Sequence, residues 1–102
     1  MSITTANVTT TVSNIYTSSG NTVMSVAYFC NYNTSPAQIT IHLVPSGGSA
    51  NVLNRIYSNV SITAGDTLVV ETEKIIFATG DTLRANTSAN NVINATVSYT
   101  GV

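Results

Sequence analysis

Ala37-Gln38-Ile39-Thr40-Ile41-His42-Leu43-Val44 sets Ile39, Ile41 and Leu43 on one side of an extended chain and Thr40 and His42 on the other. An apolar period of two belongs to a β-strand with one buried face, because successive side chains of a strand point to opposite sides. The same alternation returns in residues 92–99, where Ile93, Ala95, Val97 and Tyr99 oppose Asn94, Thr96 and Ser98. In residues 82–87, Leu83 and Ala85 oppose Arg84 and Asn86. Residues 22–32 differ in being apolar on both sides, with Val23, Ala27 and Phe29 against Met24, Val26, Tyr28 and Cys30. That pattern predicts a strand at the centre of a sheet, or one whose second face is covered by another subunit.

Further strands are expected at residues 52–62 and 67–71, in a Thr-rich first strand at 7–17, and in the short apolar run 74–78. Between them lie turn clusters, among them Ser18-Ser19-Gly20-Asn21, Asn33-Thr34-Ser35-Pro36, Pro45-Ser46-Gly47-Gly48-Ser49 and Ser88-Ala89-Asn90-Asn91. Two of the turns share one pattern: Ile62-Thr63-Ala64-Gly65-Asp66-Thr67-Leu68 and Phe77-Ala78-Thr79-Gly80-Asp81-Thr82-Leu83. Gly supplies a positive φ, Asp bonds backbone across the turn, and Leu enters the next strand facing inward. The reading is all-β: a single antiparallel β-sandwich or jelly-roll-like domain of seven or eight short strands spanning residues 1–102, with residues 1–12 extended as an N-terminal arm.

The chain has 102 residues, and charged side chains make up 7% of them, against about 25% in an ordinary soluble domain. Serine, threonine and asparagine (12, 17 and 12) supply 41 residues in their place. Three basic residues, Arg55, Lys74 and Arg84, stand against four acidic ones, Asp66, Glu71, Glu73 and Asp81. Three cations are too few to neutralise a run of phosphates, so neither nucleic acid nor an anionic membrane surface is an expected partner. The lone Cys30 leaves no intrachain disulfide and no cysteine-based metal site. The first residues carry neither the basic nor the apolar region of a signal peptide. So little charge leaves two ways to keep the chain in solution: hydroxyls and amides solvate the surface, or neighbours cover much of it.

Chemistry-bearing residues are sparse. His42 is the single histidine and reads as a strand residue facing solvent or a partner; Cys30 reads as a small core hydrophobe. Glu71 and Glu73 lie two apart, on one face of a strand, which would suit paired glycosidase carboxylates. Without tryptophan or another sugar platform, they read instead as a solvated strand end or an interface salt-bridge patch. No catalytic group, cofactor or metal is expected. The tyrosines are the more informative residues, because Tyr and Arg are favoured anchors of protein interfaces. Arg55, Tyr57, Tyr28 and Tyr32 are the candidate interface residues, with Arg55 and Tyr57 expected on one strand face. About half the aromatics are expected in the core.

In order along the chain stand Asn14-Ile15-Tyr16-Thr17, Val23-Met24-Ser25-Val26-Ala27-Tyr28-Phe29, Asn31-Tyr32-Asn33, the two Gly-Asp-Thr-Leu turns and Val97-Ser98-Tyr99. This succession resembles the small β-sandwich virion proteins of tailed bacteriophages, those of cyanophages in particular. Where some of that family carry Cys-Pro after the first Tyr-Thr, this chain has Ser18-Ser19. The resemblance implies a structural protein of the virion, assembled in the host cytoplasm and working as a homo-oligomer, a trimer foremost. Its partners would be the major capsid protein or other virion proteins, and its role that of a capsid decoration (cement) protein acting by adhesion. A neck, tail or baseplate subunit is the alternative within the virion, and a carbohydrate-binding attachment module the alternative outside that class. On the decoration reading, the arm at residues 2–12 is expected to touch the capsid and to be removable without unfolding the domain.

Overall fold

Residues with branched or aromatic side chains at every second position can bury one face of an extended chain only by pairing into sheets and stacking them. The computed structural model describes residues 2–70, 75–89 and 92–101, and among these nine strands do so. They are β1 (Ser2–Val8), β2 (Ser13–Thr17), β3 (Thr22–Asn31), β4 (Ala37–Val44), β5 (Arg55–Ile62), β6 (Thr67–Val70), β7 (Ile75–Phe77), β8 (Thr82–Thr87) and β9 (Ile93–Gly101). Sheet A runs β1-β9-β3-β6, with β7 also paired to β3; sheet B runs β2-β8-β4-β5. Every pairing is antiparallel. The fold is the all-β, sandwich-like domain expected. It has one strand more than anticipated, because the expected first strand at 7–17 is broken at residues 9–12 and its two parts enter different sheets.

The core fills the space between the sheets. Phe29, Met24, Ile93 and Val97 from sheet A meet Ile39, Ile41, Leu83 and Ile15 from sheet B. Large and small side chains alternate: Phe29 lies beside Ala95 in register, and Ala27 beside Val97, which lets the layers interdigitate without voids. Tyr16 reaches across from sheet B to an edge-on contact with Phe77 at 5.5 Å between ring centres and a tilted one with Tyr99 at 4.5 Å.

Residues 2–8, expected in an arm, are built into sheet A. β1 pairs with β9 from Ser2 opposite Tyr99 to Val8 opposite Ile93, and Val8 is fully buried. The expected strand at 52–62 begins instead with a 3-10 turn, Val52–Asn54. Asn51 caps that turn by accepting from the Leu53 N–H, and Asn54 accepts from the Asn51 N–H in return.

Both Gly-Asp turns have the expected glycine at positive φ, and Asp81 bonds backbone across its turn as expected, whereas Asp66 bonds the N–H of the next residue. Gly65 and Gly80 have φ of +76° and +88°, the region glycine enters at little cost. Asp66 accepts from the Thr67 N–H at 2.8 Å, and Asp81 from the Ala78 N–H at 2.9 Å and the Ser46 N–H at 2.9 Å. Leu83 enters β8 buried, and Leu68 enters β6 packed against the core.

A β-bulge resets β3. Its register with β9 slips between Met24 and Val26, so Ser25 is the extra residue. Its hydroxyl donates to the Ser98 carbonyl at 3.0 Å. After the slip, the inward residues change from even to odd: Met24 joins Ala27 and Phe29 inside, and Val23 joins Val26, Tyr28 and Cys30 outside. Strict alternation had divided them differently. β3 nonetheless lies at the centre of its sheet, flanked by β9 on one side and by β6 and β7 on the other.

Candidate functional site

The two outer faces of the sandwich expose different side chains. On sheet A the register brings Thr5, Thr96, Tyr28 and Val69 into one row across β1, β9, β3 and β6. Asn7, Asn94, Cys30 and Thr67 form the next row, and Val23 with Ile76 another. No described residue of these rows carries a charge. Tyr28 is 42% exposed and Ile76 73% exposed, and Ile3, Val69 and Tyr32 are exposed on the same side. The Tyr32 hydroxyl donates to the Asn7 amide oxygen at 3.3 Å, which ties its ring across the end of the face. Five of the nine exposed large apolar side chains among the described residues therefore share one surface, on which no described residue is charged.

The outer face of sheet B is different in kind. His42 on β4 lies directly opposite Arg84 on β8 and Arg55 on β5, and Asn14 on β2 lies opposite Arg84. The Arg55 Nε–H donates to His42 Nε2 at 3.4 Å, and the Arg84 Nε–H to the Thr82 hydroxyl at 3.0 Å. Beside this row, Thr40 accepts the Asn59 N–H at 3.1 Å, where Asn59 takes a positive φ of 48° at a second irregularity of β5.

His42, expected to face solvent or a partner, is 2% exposed and so does not face solvent. Strand alternation gives the side on which a residue points; flanking side chains decide whether water reaches it. Burial lowers the His42 pKa from 6.5, and the Arg55 and Arg84 charges lower it further. Cys30, expected in the core, is half-buried on the outside of sheet A, moved there by the Ser25 bulge. His42 and Cys30 thus stand on different sheets, far from forming a dyad.

The four candidate interface residues are not brought together. Tyr28 and Tyr32 belong to the outer face of sheet A, and Arg55 to that of sheet B. Arg55 and Tyr57 do not share a face: Tyr57 pairs with inward Ile41 and Arg55 with His42, because a register slip makes Ile56 an extra residue between them. Tyr57 is half-buried against the core. Sequence reading missed Ile76 and Val69, which fall in short expected strands given no face, and reached Ile3 only as part of the expected arm. It also missed Val52 and Leu53, the latter 92% exposed at the tip of the capped 3-10 turn. Glu71, Glu73 and Lys74 lie outside the described residues, so the carboxylate pair has no position to report.

A cleft of about 150 Å³ opens between the sheets beside Leu43, Pro45, Ile75 and Phe77. Its one described titratable group, Asp81, is committed to the Ser46 and Ala78 N–H groups. Among the described residues, no group of three or more His, Cys, Asp or Glu side chains is placed to hold a metal ion. Comparison with protein-family models, with curated proteins and with solved structures finds no match to this chain.

Proposed function

We propose that this chain is a structural protein of a tailed-phage virion, acting as a capsid decoration (cement) subunit that binds neighbouring virion proteins through the outer face of sheet A. The observation that carries the reading is the surface, uncharged among the described residues, on which Tyr28, Tyr32, Val69, Ile76 and Ile3 gather. A patch of exposed apolar and aromatic side chains without charge suits a surface that a partner covers. Tyr28, at the centre of the sheet and flanked by Thr96 and Val69, has the position of an interface anchor. The second support is compositional: with charges at 7% of residues, little electrostatic repulsion keeps copies apart. A homotrimer is the assembly that the resemblance to the phage virion proteins implies, and repeated symmetric contacts would cover such a face.

Quantitative mass spectrometry on separated heads and tails of the source virion tests the reading. Copies in the hundreds in the head fraction support a cement protein. A few rings' worth in the tail fraction would move the role to a neck or baseplate subunit. Absence from the particle would overturn the virion reading altogether.

A further inference from the structure

The geometry points to an oxyanion-binding site on the outer face of sheet B, where the guanidinium groups of Arg55 and Arg84 flank His42 and take a compact oxyanion of carboxylate or phosphate type. It uses none of the residues of the adhesive face and stands whether or not the chain belongs to a virion. Three observations carry it.

The first is placement. Arg55 and Arg84 are two of the chain's three basic residues, and the register sets both opposite the same residue, from strands on either side of it. Their backbones are therefore about 10 Å apart, two strand spacings. In a molecule this poor in charge, two cations set opposite one side chain repel each other, and an anion between them would relieve that repulsion.

The second is that the molecule supplies no such anion. Each arginine makes its hydrogen bond through Nε, to His42 and to Thr82, and neither is ion-paired among the described residues. The terminal amino groups of both guanidiniums are left without a protein acceptor there. The described carboxylates are committed elsewhere, Asp66 to its own turn and Asp81 to Ser46 and Ala78. A guanidinium fork matches the two oxygens of a carboxylate or phosphate.

The third is the histidine between them. Because the Arg55 Nε–H donates to Nε2, that nitrogen carries the lone pair and the ring proton sits on Nδ1. Nδ1 is buried and has no hydrogen-bond partner. A buried polar atom without a partner costs free energy and is one of the places where a native structure asks for an explanation. Protonating the ring places a hydrogen on Nε2 and breaks the Arg55 Nε–H contact, and an anion held by the two arginines would offset the added charge beside Arg55 from β5 and Arg84 from β8.

His42 is the only histidine in the sequence, so its ring resonances in an NMR spectrum of the full chain need no assignment. The test titrates sodium acetate in one arm and inorganic phosphate in another, each against sodium chloride at matched ionic strength. The expected result is a saturable movement of the His42 ring signals, and a rise in the His42 titration midpoint at saturation. R55Q and R84Q should each weaken binding by about tenfold or more, the loss of a charge-assisted contact. Saturation by acetate alone identifies a carboxylate ligand, by phosphate alone a phosphate, and by both a general oxyanion site. Arg55 is exposed, so R55Q keeps the test decisive even if R84Q fails to fold. The proposal is overturned if neither salt shifts the signals beyond the chloride control, or if R55Q responds as the parent does.

Discussion

Asn31 shows what one buried polar side chain contributes here. It is fully buried at the end of β3, its amide donating to the Ser35 and Ile62 carbonyls at 3.0 and 2.9 Å and accepting the Asn33 N–H at 3.0 Å. It thus fastens sheet A to the end of β5 in sheet B. Asn31→Ala is expected to cost about 3 kcal/mol, because it strands a buried carbonyl as well as losing the bonds; equal urea midpoints for variant and parent would refute this. Asn94→Ala, on the exposed face, should stay within about 0.5 kcal/mol. His42 gives a pH dependence of definite sign. Its folded pKa lies below the unfolded 6.5, so as pH falls below that value the unfolded chain takes up the proton first and stability falls. Urea midpoints at pH 7.5 and 5.5 should show the drop, and His42→Gln should shrink it. None of this was legible in the sequence, where Asn31 had no role beyond its place in the strand at 22–32 and His42 read as a strand residue facing solvent or a partner. Burial of a polar group depends on what stands beside it two strands away, and local pattern carries no trace of that.

At the scale of elements, the sequence was most readable where strands are regular. β4, β8 and β9 alternate as their residues require, and both Gly-Asp turns follow from a local need for positive φ and a capping carboxylate. Reading failed at the bulges. One inserted residue, Ser25 in β3 or Ile56 in β5, exchanges the faces of everything beyond it, and neither residue type announces the insertion. The candidate site suffered directly: Tyr57 went inward, Cys30 outward, and Arg55 to the opposite face from Tyr28. β1 is the other case, a Thr-rich segment whose partner, β9, lies at the far end of the chain. Deleting residues 2–8 removes buried Val8 and leaves the β9 edge unpaired. Such a variant should melt well below the parent or aggregate, as unprotected edges do; an unchanged melting temperature would mean that β1 is dispensable after all. Gly80→Ala should also destabilise, since the added Cβ meets the Ser46 side chain at a backbone φ of +88°.

For the whole molecule, the sandwich separates two chemistries. Among the described residues, one outer face is uncharged and partly apolar; the other sets two arginines around a buried imidazole. Composition left open whether hydroxyls and amides solvate the surface or neighbours cover it, and could not say which surface, since only the fold decides which strands share a face. Association through the uncharged face should depend little on salt: raising sodium chloride from about 0.05 to about 0.5 M should leave it nearly unchanged, where a charge-driven contact would weaken. The central claim is that the outer face of sheet A docks on virion proteins. Co-sedimentation of the purified chain with heads lacking it, beside a folded Tyr28→Thr/Ile76→Thr variant, tests that most directly. The account expects the parent to pellet with the heads and the variant to stay in the supernatant. Equal binding by both, or binding by neither, would contradict it.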